Sequence, residues 1–168
     1  METRWLDDVE RAAWVRFVAV VELLPGALDT QLRRDSGLSH FEYFVLAMLS
    51  EASERTLRMT QLARLTNATL TRLSHVVRRL EERSLVERFA CPEDGRATNA
   101  RLTEQGWAAV VEAAPGHVET VRATVLDALT PEQVAQLHAI ADALLPRLDP
   151  ERRLAALYDE QAPAGVSR

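Results

Sequence analysis

The chain has 168 residues, of which 47% are apolar, 5% aromatic and 27% charged, and its formal net charge is −5. This profile fits a helix-rich globular protein with enough length for a sizeable core, and it excludes a membrane span, since no apolar run approaches about 18 residues. Cys91 is the only cysteine, which excludes an internal disulfide framework and suits a reducing cytoplasm.

The opening residues lack a basic segment followed by an apolar one, so no export signal is expected. Leu6, Val9, Ala13, Phe17, Val20 and Leu24 follow helical spacing and predict a long amphipathic first helix. Pro25-Gly26 is expected to kink or interrupt it, with the pattern resuming at Leu28 and Leu32 and ending at Gly37. Ser39 with Glu42 three residues on forms a capping box for a second helix carrying Phe41, Tyr43, Phe44, Leu46, Met48 and Leu49.

Thr60 is placed to cap a short helix with Leu62, Ala63 and Leu65. A turn at Thr66-Asn67-Ala68 leads to a longer helix, about Ala68 to Arg83, with Leu70, Leu73, Val77 and Leu80 on one face. Two helices this close predict a helix-turn-helix. Leu85 to Cys91 and Ala97 to Leu102 read as strands joined by Pro92-Glu93-Asp94-Gly95, a hairpin.

Thr103 restarts helix through Trp107, Val110 and Val111, with a kink or break expected at Pro115-Gly116. Thr130-Pro131-Glu132-Gln133 opens another helix with cap, first-position proline and closing glutamine. Val134, Leu137, Ala141, Leu144 and Leu148 follow as a packing seam, with Pro146 expected to end the helix before Leu148. Asp149-Pro150 is placed to cap a last short helix to Tyr158. The segments divide as 1–36, a dimerisation helix; 37–102, a winged helix-turn-helix lobe; 103–160, further dimerisation helices; and 161–168, a frayed tail.

Charge supports a nucleic-acid reading. All 20 basic residues are arginine; ten lie between Arg55 and Arg101 against five carboxylates, while the remainder holds ten against twenty. One acidic body therefore carries one basic face, which steers a polyanion to that side. The long helix after the turn leaves Thr69, Thr71, Arg72, Ser74, His75, Arg78 and Arg79 outward. Short hydroxyls and forked guanidinium groups suit base edges and phosphates, and the start of such a helix enters the major groove. Thr69, Thr71, Arg72, Ser74 and His75 are therefore the expected base readers, and Arg78, Arg79 and Arg88 the expected backbone contacts. A merely solvated charged face competes with this for the helix alone. The hairpin decides between them, because Arg96 at its tip, with Asp94 to brace it or start the turn, suits insertion into a narrow minor groove.

Several stretches together resemble the MarR (multiple antibiotic resistance) family of winged helix-turn-helix regulators. They are Gly37-Leu38-Ser39 with Phe41-Glu42-Tyr43, Met59-Thr60-Gln61-Leu62-Ala63, Thr69-Leu70-Thr71-Arg72-Leu73 and Arg79-Leu80-Glu81-Glu82-Arg83. Leu85-Val86-Glu87-Arg88, Pro92-Glu93-Asp94-Gly95-Arg96 and Leu102-Thr103-Glu104-Gln105-Gly106 complete the set. The resemblance implies a mainly α fold with a β-hairpin wing, and a homodimer entwined through its first and last helices. It also implies a palindromic double-stranded DNA operator, repression, and release by a small-molecule effector or oxidant. By position, Thr69, Thr71 and Arg72 match the family's major-groove readers and Arg96 its wing arginine. Ser84 stands where the family usually has glycine, at a bend that favours positive φ.

Trp14, Phe17, Tyr43, Phe44 and Met48 read either as core at helical spacing or as the lining of an effector pocket between dimer helices and DNA-binding lobe. Cys91 reads as a packing residue before it reads as a redox sensor. His40, His75, His117 and His138 are too scattered for a metal motif, so no metal and no cofactor are expected. The sequence carries no phosphate loop, nucleophile elbow or His-Glu-x-x-His, and no enzyme is expected. The competing class is a helical protein-interaction module without DNA binding.

Overall fold

The computed structural model describes residues 2–92 and 94–158. The expected frayed tail at 161–168 and Glu93 of the hairpin turn lie outside the described residues. Helix α1 (Asp8–Ser36) leads to α2 (His40–Glu51), a 3-10 turn (Ser53–Arg55) and strand β1 (Thr56–Arg58). Then come α3 (Met59–Leu65), α4 (Leu70–Glu82), β2 (Val86–Cys91), β3 (Asp94–Leu102) and α5 (Glu104–Thr124). A second 3-10 turn (Leu126–Ala128), α6 (Pro131–Leu148) and α7 (Ala155–Tyr158) follow. This is the mainly helical winged fold that the sequence implies.

Local chemistry sets most boundaries. Asp7, Ser39 and Thr130 each form a reciprocal capping box, with Glu10, Glu42 and Gln133 respectively, so orphan N–H groups at three helix starts are satisfied. Gly37 ends α1 at φ 65°, its N–H donating to the Arg33 carbonyl at 3.2 Å. Ser84 takes φ 57° between α4 and β2, so the bend accepts a residue with a side chain.

Pro146 does not end α6 before Leu148 as expected, and neither Pro25 nor Pro115 interrupts its helix. Helices α1, α5 and α6 run through Pro25, Pro115 and Pro146 without a break. Each proline removes one backbone donor, and the long hydrogen-bonded segments on either side carry the helix across. Helix α3 starts at Met59 with Arg58 at its cap position and no side-chain cap bond, so Thr60 is not the cap. The sheet has three strands, ordered β1-β3-β2 and antiparallel, where the sequence suggested only a hairpin. A strand as short as Thr56-Leu57-Arg58 shows too little alternation to read.

The core sits where α2, α3 and α4 meet the sheet and the first turns of α5. Leu38, Leu46, Leu49, Leu62, Leu73 and Leu80 are fully buried there. Gly106, in the first turn of α5, shows why Leu-Thr-x-x-Gly has its glycine. A Cβ at that position would stand 2.1 Å from the Leu85 carbonyl oxygen and 2.7 Å from Leu102. Thr103 locks the same junction: its hydroxyl donates to the Ser84 carbonyl at 2.7 Å and accepts from Gly106 N–H at 2.9 Å. The wing and α5 are thereby fixed to one another. In contrast, α6 has no buried residue, and the first five turns of α1 leave Val9, Trp14, Phe17, Val20 and Leu23 exposed.

Candidate nucleic-acid interface

Helix α4 is amphipathic, with Leu73, Val76, Val77 and Leu80 buried. At about 100° per residue, the line opposite that stripe is Thr71, His75 and Arg78, with Glu82 at its end. All four are exposed. Arg72 and Arg79 fall on one flank of this line, toward α2, and Leu70 and Ser74 on the other, toward the wing. Thr69 is the N-cap; its hydroxyl accepts from Arg72 N–H at 3.2 Å. Helix α4 thus presents three edges.

The α2 flank is already partnered. The Arg72 guanidinium lies over the Phe41 ring, 4.2 Å from its centroid, a cation–π stack that holds the arm against α2. Arg79 Nε donates to Glu42 Oε1 at 3.1 Å. Glu42 is buried, and its other carboxylate oxygen accepts from both Ser39 N–H and Ser39 Oγ at 2.9 Å. Burial pushes the Glu42 pKa up, but these hydrogen bonds and Arg79 outweigh it and hold the carboxyl below its usual range. Arg79 is consequently tied to the lobe through Glu42. Phe41 and Glu42 carry this arrangement, and spacing alone gave no sign of it.

The wing flank is similar in kind. Arg88 donates through its backbone N–H and Nε to Glu81, at 2.9 and 2.7 Å, so it braces the wing against the end of α4. Strands β2 and β3 pair regularly from Val86↔Leu102 to Ala90↔Thr98, then slip so that Cys91 faces Asp94. Gly95, Arg96 and Ala97 are left outside the ladder. Arg96 is exposed within β3, which starts at Asp94 and not at Ala97 as expected. Asp94 accepts from Arg96 backbone N–H at 3.2 Å. It shapes the turn and does not brace the guanidinium. Ser74 and Arg96 line one groove between α4 and the wing, together with Met59, Leu70 and Thr98.

The five expected effector residues do not converge. Trp14 and Phe17 are half exposed and touch one another at 6.4 Å between centroids. Trp14 lies about 20 Å along α1 from Leu28, the first buried α1 residue, at 1.5 Å rise per residue. Met48 is buried in the core, with Tyr43 and Phe44 packed against it. Tyr43 instead meets His117 of α5 at 4.8 Å, and His117 stacks on His40 at 6.2 Å. Burial lowers both histidine pKa values, and for His117 the neighbouring His40 adds to the shift. Gln31 Oε1 and His117 Nδ1 are buried there without a hydrogen-bond partner. Cys91 is buried, its sulfur facing Arg58 at 3.6 Å. Among the described residues no group of three or more His, Cys, Asp or Glu could hold a metal ion, and no helix is long and apolar enough to cross a membrane.

Comparison with known proteins places this geometry. The MarR family model matches residues 38–98. Sco3205, a MarR family transcriptional regulator from Streptomyces coelicolor solved in complex with DNA, is 43% identical. The match covers 89% of this chain and 93% of that one, at a TM-score of 0.84. AbsC, another MarR family transcriptional regulator from the same organism, is 38% identical over 89% of this chain and 99% of its own, at 0.81. The chain belongs to the MarR family. It is a DNA-binding transcriptional regulator with the winged helix-turn-helix fold of that family. CouR from Rhodococcus jostii RHA1, solved bound to p-coumaroyl-CoA, is 24% identical at a TM-score of 0.69 and shares the fold.

Proposed function

We propose that two copies of this chain form a two-fold dimer that reads a palindromic operator, with α4 in the major groove and the β2–β3 wing along the adjacent minor groove. The observation that carries this reading is the exposed line Thr71, His75, Arg78 opposite the buried stripe of α4, beside a wing whose Arg96 is excluded from the strand ladder. Thr71, His75 and Ser74 are the base readers of this proposal, with Thr69 capping the helix at the groove floor. Arg78 grips the backbone, and Arg96 enters the minor groove. Arg72 reads from the edge of the face, from its shelf on Phe41. Arg79, Arg88 and Asp94 shape the surface. The segment division has the same sense: 37–102 reads DNA, and 1–36 and 103–160 join the copies.

Dimerisation is supported by apolar surface that one chain leaves open. Val134, Leu137, Ile140, Leu144 and Leu148 of α6 are 37–69% exposed, and a contiguous face of this kind marks an interface. The function is repression relieved by a small effector. The junction of α1, α2 and α5 suits that effector better than the five-residue set does, because Gln31 and His117 each carry an unpartnered buried polar atom there.

A duplex from upstream of the protein's own gene, titrated by fluorescence anisotropy, tests the reading. Binding at nanomolar to sub-micromolar concentration is expected, and Arg78→Ala should weaken it by about 1–3 kcal/mol. Failure to prefer any duplex over a scrambled one would leave a protein-interaction module as the better account.

A further inference from the structure

Beyond the helix and the wing, the C-terminal turn after α6 reaches the DNA-binding lobe. Asp149 is only 4% exposed and ties this turn into a compact knot. Its carboxylate accepts from Arg153 N–H and Leu154 N–H at 2.8 Å each, and from the Tyr158 hydroxyl at 3.2 Å. The knot sets Arg153 beside the helix-turn-helix. Arg153 lines one groove with Arg64, Asn67, Ala68 and Thr69, and a second with Thr60, Gln61 and Arg64. Thr69 caps the reading helix, so this cluster flanks the end of α4 that enters the groove.

We propose that Arg153, with Arg64, forms a phosphate-binding site that extends the DNA interface onto the C-terminal turn. The inference rests on α4 reading the major groove. A helix that enters a groove by its N-terminus has a sugar–phosphate strand passing alongside that end, which is where these two guanidinium groups stand. The charge balance favours an anion. Arg64 is exposed, and the Arg153 side chain is 40% exposed while its Asp149 partner is 6% exposed. The cation therefore faces outward and the carboxylate inward, so a phosphate meets the guanidinium and not the acid. A knot stitched by three hydrogen bonds also holds Arg153 with less conformational entropy to lose on binding.

The test is a salt titration of full-length protein on operator and scrambled duplexes. Arg153→Ala should bind both duplexes about tenfold more weakly and make the salt slope shallower by about two units for the dimer, one contact per protomer. Arg153→Lys keeps the charge and the backbone N–H bond to Asp149, and should restore most of the slope. Wild-type affinity and slope in Arg153→Ala would overturn the site, and so would weaker binding with an unchanged slope. Should Arg153→Ala melt early, the Arg153→Lys slope decides: a wild-type value supports the site, and an alanine-like value sinks it. Arg78→Ala separates the two levels. If it weakens binding while Arg153→Ala does not, only this site fails. If wild-type protein binds no duplex, the DNA reading fails and takes the site with it.

Discussion

The winged lobe and the helical arms draw on the same aliphatic residues but close their apolar surfaces in different ways. In the lobe, Leu46, Leu73 and Leu80 are fully buried by elements of one chain. In the arms, Leu137 of α6 is 42% exposed and Val9 of α1 78% exposed. Periodicity marked both regions as amphipathic. It tells that a stripe must be covered; it does not tell whether the cover comes from the same chain or another. The lobe closes its core within one chain, and in the dimer proposed above the arms are half of a core whose other half is a second copy.

The sharpest way to break this contrast is to charge the arms. Leu137→Asp with Leu144→Asp should split the dimer, because each carboxylate would be desolvated in the interface at a cost of several kcal/mol. Sedimentation should then show a monomer, and operator affinity should collapse since half-sites no longer bind together. A dimer that persists would mean that α6 faces solvent. In the lobe the corresponding test is Leu73→Ala, expected to destabilise by about 2–5 kcal/mol through transfer and cavity terms. Urea unfolding at fixed protein concentration measures it, and dimerisation of the remaining folded protein should be unaffected.

What could be read from the sequence follows the same division. The capping boxes at Ser39 and Thr130, the helix-turn-helix and the hairpin are local patterns, and each is where the residues placed it. Long-range partners were not legible. Arg72 stacks on Phe41 and Arg79 pairs with Glu42, and no spacing rule connects positions more than thirty residues apart. Pro146 misled for a related reason: the rule counts one lost hydrogen bond and a clash, whereas a helix of 18 residues such as α6 has its other bonds to carry it to Leu148. Helical spacing places Trp14 and Phe17 on the arm and Tyr43 and Met48 on the lobe without saying how far apart these lie, and α1 is long enough to keep them apart within one chain.

A smaller effect probes the seam where lobe and arms meet. His40 and His117 stack between α2 and α5 and have pKa values lowered from 6.5, mainly by burial. An unfolded chain takes up these protons first, so the sign is a loss of stability as pH falls below about 6.5 toward the folded-state values, and no penalty above it. Asp29, near His40, partly offsets the shift. The urea midpoint should therefore drop between pH 7.5 and 5.5, above the range in which carboxylates such as Asp35, with a pKa of about 2, begin to protonate. His117→Phe should flatten that drop. An equal drop in the variant would place the acid sensitivity elsewhere.

The smallest effect lies wholly within the lobe, at Ser84. Its φ of 57° is left-handed, a region that costs a residue with a Cβ about 1 kcal/mol and glycine almost nothing. The position is nevertheless well determined. Ser84 N–H donates to the Glu81 carbonyl at 2.8 Å, and its own carbonyl accepts the Thr103 hydroxyl at 2.7 Å. The bonds that fix this bend use backbone atoms, and the Ser84 side chain is exposed. Ser84→Gly removes the strain and no side-chain hydrogen bond, but adds freedom to the unfolded chain, which offsets part of the gain. The expected net result is a stabilisation of about 0.5 kcal/mol, read as a shift of a degree or two in Tm at fixed protein concentration, with dimer affinity unchanged. A destabilised variant would show that the serine side chain contributes to the bend. A stabilised one would show that the left-handed bend is strained with serine and that backbone bonds alone suffice to fix it.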